Sequence, residues 1–259
     1  MERGKKKEYL QKVKRLREQL CMSTQEGLDL LSQTEGDMER AAAVFKERML
    51  HITTNFVKLP SEKVLPYLEE YKYDAGRAID QMLDDFQLVD GVRQPKPVYI
   101  LHKYRNNKKE ALEQIGRLVE TTAHLERDWK SVGLYEHPWL TTEALQSLDG
   151  PSQCVLALTE WLTFEDSEGL EQALLYNLDM AAAQIQLLKM PDLAAALRMA
   201  RDIYREHEAI HHGPAFYKAL NKDKDYQAAR RFFQASREML MDKLYAFVQA
   251  HLDQLRLPD

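Results

Sequence analysis

Two histidines and a glutamate carry the sharpest chemical signal in the chain. His207-Glu208-Ala209-Ile210-His211 satisfies the His-Glu-x-x-His pattern. On a helix, residues four apart share a face, so both imidazoles could hold one zinc ion while Glu208 activates its water. Glu238, on the next predicted helix, is the conceivable third ligand. Against this, His207 falls on an apolar stripe with Ala200, Ile203 and Ile210, and Gly213-Pro214 stops the helix directly after His212. The reading adopted is a histidine of a core or interface, with no resident metal and no cofactor; a zinc-dependent hydrolase centred on His207, Glu208 and His211 is the alternative.

Other catalytic patterns are absent from the sequence. A di-iron bundle needs two Glu-x-x-His pairs, and Glu208 with His211 supplies one. No Gly-rich phosphate loop and no Gly-x-Ser-x-Gly elbow occurs. Cys154 opens the apolar run Val155, Leu156, Leu158 and reads as a small buried hydrophobe. Cys21 has no histidine near it in sequence to activate it as a nucleophile.

Charge offers a second class of reading. Residues 1–17 carry eight Lys/Arg against two Glu, a net of +6, whereas residues 18–90 carry seven against fifteen, a net of −8. Lys5 to Lys7, and the basic–aromatic run His102-Lys103-Tyr104-Arg105-Asn106-Asn107-Lys108-Lys109, could meet phosphates and stack bases. The flanking regions are acidic and repel nucleic acid, so that partner is not the one expected. The adopted reading of these runs is a solvated helix end and a polar connection.

The elements that must position any site are helical. The chain has 259 residues with 44% apolar and 30% charged content, 10 Gly and 9 Pro, a mix that favours helix. Three-and-four spacing predicts helices over Lys108–Lys130 (Leu112, Ile115, Leu118, Leu125, Trp129), Gln153–Leu162, Ser167–Lys189, Leu193–His212 and Tyr226–Leu255. Pro95 and Pro97 with Gly91 mark a linker at 89–97. Val98-Tyr99-Ile100-Leu101 is read as extended linker or helix start, having no strand to pair with. No apolar window approaches a membrane span, no signal peptide is expected, and two distant cysteines fit reduced thiols in the cytoplasm.

The first ninety residues contain one helical pattern twice. Adding 37 carries Leu20 to Val57, Leu28 to Leu65, Leu31 to Leu68, Asp37 to Asp74, Ala41 to Ala78 and Phe45 to Met82. Asp37 and Asp74 can each cap the helix they precede, and Gly36 suits a left-handed helix end that Tyr73 occupies in the second copy. Short repeats bury an apolar face against a neighbour or partner, which points to binding rather than catalysis.

Val13-Lys14-Arg15-Leu16-Arg17-Glu18, Leu31 and Gly36-Asp37-Met38-Glu39-Arg40-Ala41 together resemble the N-terminal helical domain of elongation factor Ts, a member of the ubiquitin-associated-like three-helix class. The resemblance covers residues 9–48, with an echo in 53–86. It implies partner binding through the loop after the first helix. Where that family has a Thr-Gly-rich turn, this chain reads Leu20-Cys21-Met22-Ser23-Thr24-Gln25-Glu26-Gly27, so the contact chemistry differs.

The expectation is an all-α protein: three-helix modules at 1–50 and 51–88, a linker at 89–97 and a larger helical bundle at 98–259. Its expected role is a non-enzymatic protein–protein adaptor, gripping a protein partner through Leu20, Cys21, Met22 and Phe45, with no membrane association.

Overall fold

The computed structural model describes residues 3–128, 139–255 and 257, and is helical apart from two short two-stranded ribbons. The expected all-α architecture is therefore found. The chain divides into two compact units, 1–99 and 100–259.

The first unit consists of α1 (Arg3–Gln19), α2 (Thr24–Gln33), α3 (Met38–Val57), α4 (Ser61–Glu70) and α5 (Ala75–Phe86). The 37-residue offset is kept in the backbone: α2 and α4 begin at 24 and 61, α3 and α5 at 38 and 75. Asp37 caps α3 by accepting from the amides of Glu39 and Arg40, and Asp74 caps α5 by accepting from that of Arg77. The preceding turns match residue for residue, with left-handed backbone at Glu35 and Gly36 in one and at Lys72 and Tyr73 in the other.

Tyr73 holds the strained conformation without glycine's freedom, and the packing explains how. In the first copy the ring comes from the helix: a Cβ on Gly36 would sit 3.0 Å from Cε1 of Tyr9. In the second copy the residue at the position of Tyr9 is Lys46, and its ammonium lies 5.1 Å from the centroid of the Tyr73 ring. The aromatic has moved from helix to turn, so the space above each turn is filled once.

One expectation needs correcting. The copies at 1–50 and 51–88 are not separate modules, because α3 runs unbroken through residue 50. It closes the first copy with Ala41 and Phe45 and opens the second with Thr53 and Val57, and all four belong inside the unit. Leu31, Phe45, Val57, Leu68 and Met82 lie in one shared core.

The expected linker is also more ordered than its prolines suggest. β1 (Leu88–Val89) pairs with β2 (Val92–Arg93) across Asp90-Gly91, both at positive φ, as a two-residue hairpin of this twist requires. Val98 to Leu101 lie within α6 (Lys96–Lys103), the helix-start alternative.

A third copy then appears at an offset of 33 from the second. Leu68, Asp74, Ala78 and Met82 become Leu101, Asn107, Ala111 and Ile115. Asn107 caps α7 (Lys108–Thr122) by accepting from the amide of Glu110, and Ala111 and Ile115 are fully buried.

The second unit packs around α9 (Gly150–Glu168), buried on nearly every side from Ser152 to Phe164 as befits a central helix. α7, α10 (Leu170–Ala173), α11 (Leu178–Leu187) and α14 (Lys224–Ala250) contact it, as does α8 (Thr142–Gln146). α12 (Pro191–Ile210) packs on α11, α13 (Pro214–Lys222) and α14. β3 (Arg127–Asp128) pairs with β4 (Trp139–Leu140). The single helix expected over 167–189 is broken, because Gly169 and Asn177 both take positive φ. The helix expected to reach Lys130 ends at Thr122; Trp129, placed on its stripe, lies outside the described residues.

Gly36→Ala in the full chain is expected to destabilise the first unit by about 1–3 kcal/mol through the left-handed φ and the Tyr9 contact. Hydrogen exchange at α2 and α3 amides reads this directly; unchanged protection would show that the turn accepts a side chain.

Candidate functional site

Of the four residues expected to grip a partner, three are interior. Leu20, Met22 and Phe45 are buried in the first unit's core and are not on the surface. The loop was expected to face outward, but it closes the two copies together. The Cys21 amide donates to the Lys72 carbonyl at 2.7 Å, and Lys72 Nζ donates to the Glu18 carbonyl at 3.1 Å. Cys21 alone is exposed, and its thiol donates to Asp74 at 3.5 Å. Burial and the neighbouring Asp74 carboxylate push that thiol up, away from the reactive thiolate.

On α3 of the first unit, exposed apolar side chains continue a buried stripe. Ala41, Phe45, Met49, Ile52 and Phe56 follow steps of four, four, three and four, and so form one stripe along the helix. The stripe starts buried at Ala41 and Phe45, is half-buried at Met49, and emerges with Ile52 45% and Phe56 58% exposed. Its inner face has turned by then toward Thr53 and Val57. The positions 37 earlier, on α1, are Arg15 and Gln19. The repeat therefore does not itself demand apolar side chains there. Beside it runs an open groove of about 580 Å³ lined by Val44, Arg48, His51, Asn55 and Ser61 among others.

The His-Glu-x-x-His segment lacks the helical geometry its chemistry needs. α12 ends at Ile210, and His211 has extended backbone at φ −122° and ψ 147°. His207 Nε2 meets the Asp223 carboxylate at 3.2 Å. That carboxylate also caps α14, accepting from the amides of Asp225 and Tyr226, and the Tyr226 amide with His207 holds its pKa below the usual carboxylate range. Among the described residues, no group of three or more His, Cys, Asp or Glu is placed to hold a metal ion. Glu238 stands on α14 and is not gathered with the histidines.

The basic–aromatic run is likewise engaged. Lys108 pairs with Asp242 at 2.6 Å and Lys109 with Asp166 at 2.7 Å, both within the second unit. Lys103 lies against the Tyr104 ring.

A charged cluster outside the expected sites lines a cleft of about 200 Å³ in the second unit. Arg127 forks onto Glu120 through Nε and Nη2, each at 2.7 Å, and reaches Glu160 through Nη1 at 3.1 Å. Glu160, only 5% exposed, also accepts from the Leu140 amide at 3.0 Å. One carboxylate thus ties β3 by a side chain and β4 by its backbone. Burial pushes the Glu160 carboxyl up, opposed by Arg127 and the Leu140 amide. The floor is tight: a Cβ on Gly116 of α7 would sit 2.8 Å from the Thr159 hydroxyl of α9. The signal in the sequence is Glu160 set within the largely apolar run from Val155 to Leu162. Both cysteines are free, and burial pushes the Cys154 thiol up to about 12.

Comparison with known proteins places this unit. Residues 97–253 match the family described as the YfbN C-terminal domain. The "Uncharacterized protein YfbN" of Escherichia coli (strain K12) is 24% identical over 199 residues, covering 77% of this chain and 76% of that protein. Residues 100–259 number 160, so that likeness extends into the first unit. No solved structure matches. No helix among the described residues is long and apolar enough to cross a membrane.

Two outcomes follow. Glu160→Ala is expected to cost about 3 kcal/mol or more in chemical denaturation, with Glu160→Gln milder, because the Leu140 amide and part of Arg127 lose a buried partner. Equal stability of Glu160→Ala and wild type would remove its anchoring role. Asp223 has a folded pKa below its unfolded value of about 3.9, so its stabilisation holds above that value and is lost as pH falls through the folded pKa. Asp223→Asn is therefore expected to be less stable at neutral pH and to show a shallower loss in acid; parallel pH profiles would contradict this.

Proposed function

We propose that this chain, which belongs to the YfbN C-terminal domain family, is a non-enzymatic interaction protein that takes a protein partner on the outward stripe of α3. The observation that carries this reading is the emergence of Ile52 and Phe56 from a stripe that is buried at Ala41 and Phe45. Adjacent exposed apolar side chains on a rigid helix suit a helix-to-protein contact. The resemblance of residues 9–48 to the helical domain of elongation factor Ts supports the same class of role, by partner binding through a small helical module. The contact residues move from the buried set Leu20, Met22 and Phe45 to Ile52 and Phe56. Two free thiols are compatible with a reducing compartment such as the cytoplasm.

The test is quantitative affinity capture from the native host with wild type and Ile52→Glu/Phe56→Glu. Both positions are exposed, so the melting temperature is expected to stay within about 2 °C. At least one protein held by wild type is expected to be lost from the double variant. Retention of the same proteins in the same amounts would reject the stripe as the binding surface.

A further inference from the structure

The first unit separates its charges between its two ends of sequence. α1 carries eight basic residues against two acidic, a net of +6. Residues 61–86, which hold α4 and α5, carry seven acidic against three basic, a net of −4. Like charges concentrated this way repel within the unit and attract their opposite outside it.

The cationic surface is a helix face. Tyr9, Val13, Leu16 and Leu20 bury one side of α1 and its end. Lys7, Leu10, Lys14 and Arg17 take three-and-four steps along another side, and all four are exposed. Lys12 is held by Glu8 at 2.7 Å and by the Gly36 carbonyl at 3.0 Å. Lys7 and Lys14 make no ion pair among the described residues. They stand about 10 Å apart along the axis at 1.5 Å per residue.

The anionic surface is a groove. Pro66, Tyr67, Glu70, Tyr71, Gln81 and Asp85 line an open space of about 490 Å³ between α4 and α5. Its polar groups are already oriented. Tyr67 donates to one Asp85 oxygen at 2.8 Å and Gln81 to the other at 2.8 Å, while Tyr71 donates to Gln81 at 3.4 Å. Burial and Asp85 push the Tyr67 hydroxyl up, so it remains a donor. Glu70 has no ion-pair partner among the described residues. Two carboxylates beside two phenol rings suit an ammonium or guanidinium group, which pairs with the acids and lies over the rings.

We propose that the α4–α5 groove receives the cationic face of α1 from a second copy of this chain. The copy's own α1 packs on α2 and α3, and neither Glu70 nor Asp85 is paired with its cations. Two copies can exchange the contact reciprocally, each presenting one cationic face and one groove, which closes the assembly about a two-fold axis. This surface is distinct from Ile52 and Phe56, so either proposal can fail alone.

The test is sedimentation equilibrium of the full chain. Wild type is expected to self-associate at about 50 mM salt and to weaken at least tenfold by about 500 mM, where screening is nearly complete. Lys7→Glu/Lys14→Glu and Glu70→Lys/Asp85→Lys are each expected to be monomeric at low salt. Mixed one to one, they are expected to associate again, because each charge-reversed surface meets its complement. Wild type that stays monomeric at low salt, variants that associate as wild type does, or a mixture that stays monomeric would each overturn the proposal. Circular dichroism melts matched to wild type confirm that the variants are folded.

Discussion

A short polar side chain at the start of a helix, an alanine four residues on and a large apolar residue eight on together set how this chain turns. Asp37, Ala41 and Phe45 form the first instance, Asp74, Ala78 and Met82 the second, Asn107, Ala111 and Ile115 the third. The cap satisfies amides that the helix leaves without partners. The alanine lets the preceding helix come close, and the large residue then fills the space beyond it. At Asn177 the pattern recurs with Ala181 and Ile185 buried, but the cap is used differently. Its amide donates to the Leu140 carbonyl, and its carbonyl oxygen accepts from Thr142, tying α11 to β4 and α8.

Sharing α3 between two copies has a cost and a consequence. One helix must bury one face at its start, with Ala41 and Phe45, and another at its end, with Thr53 and Val57, as it passes along the one shared core. The face abandoned midway is where Ile52 and Phe56 reach solvent. A repeat built from six separate helices would not expose them. The surface stripe is thus a product of economy in the repeat, and its apolar character is a choice that Arg15 and Gln19 show to be unforced.

Elements with regular spacing are legible in the amino-acid sequence, and those with irregular spacing are not. The 37-residue offset exposed the first two copies, whereas the third escaped because its offset is 33. Leu20 and Met22 are apolar residues in a turn, a pattern that suits a core position and a binding surface equally, and their burial is decided by the packing of the two copies. The loop's partner Lys72, whose carbonyl accepts from the Cys21 amide, lies some fifty residues away, beyond the reach of any local pattern. Asp90-Gly91 was a legible hairpin signal that two nearby prolines obscured. The breaks at Gly169 and Asn177 interrupt a stripe whose apolar spacing continues through them, so periodicity alone reads one helix where there are two.

Glu160 remains the least expected residue of the second unit. Apolar side chains of similar volume in place of the Glu120–Arg127–Glu160 cluster would cost little stability, because removing charges from water offsets most of what their attraction returns. What the charged version adds is direction. Hydrophobic contact tolerates a ribbon shifted by one residue, but a carboxylate that must meet both the Arg127 side chain and the Leu140 amide accepts one register. A one-residue slip would turn Arg127 to the opposite face and leave a buried charge unpaired. Among the described residues Arg127 pairs with Leu140 and Asp128 with Trp139, and the buried carboxylate of α9 holds that register from outside the ladder.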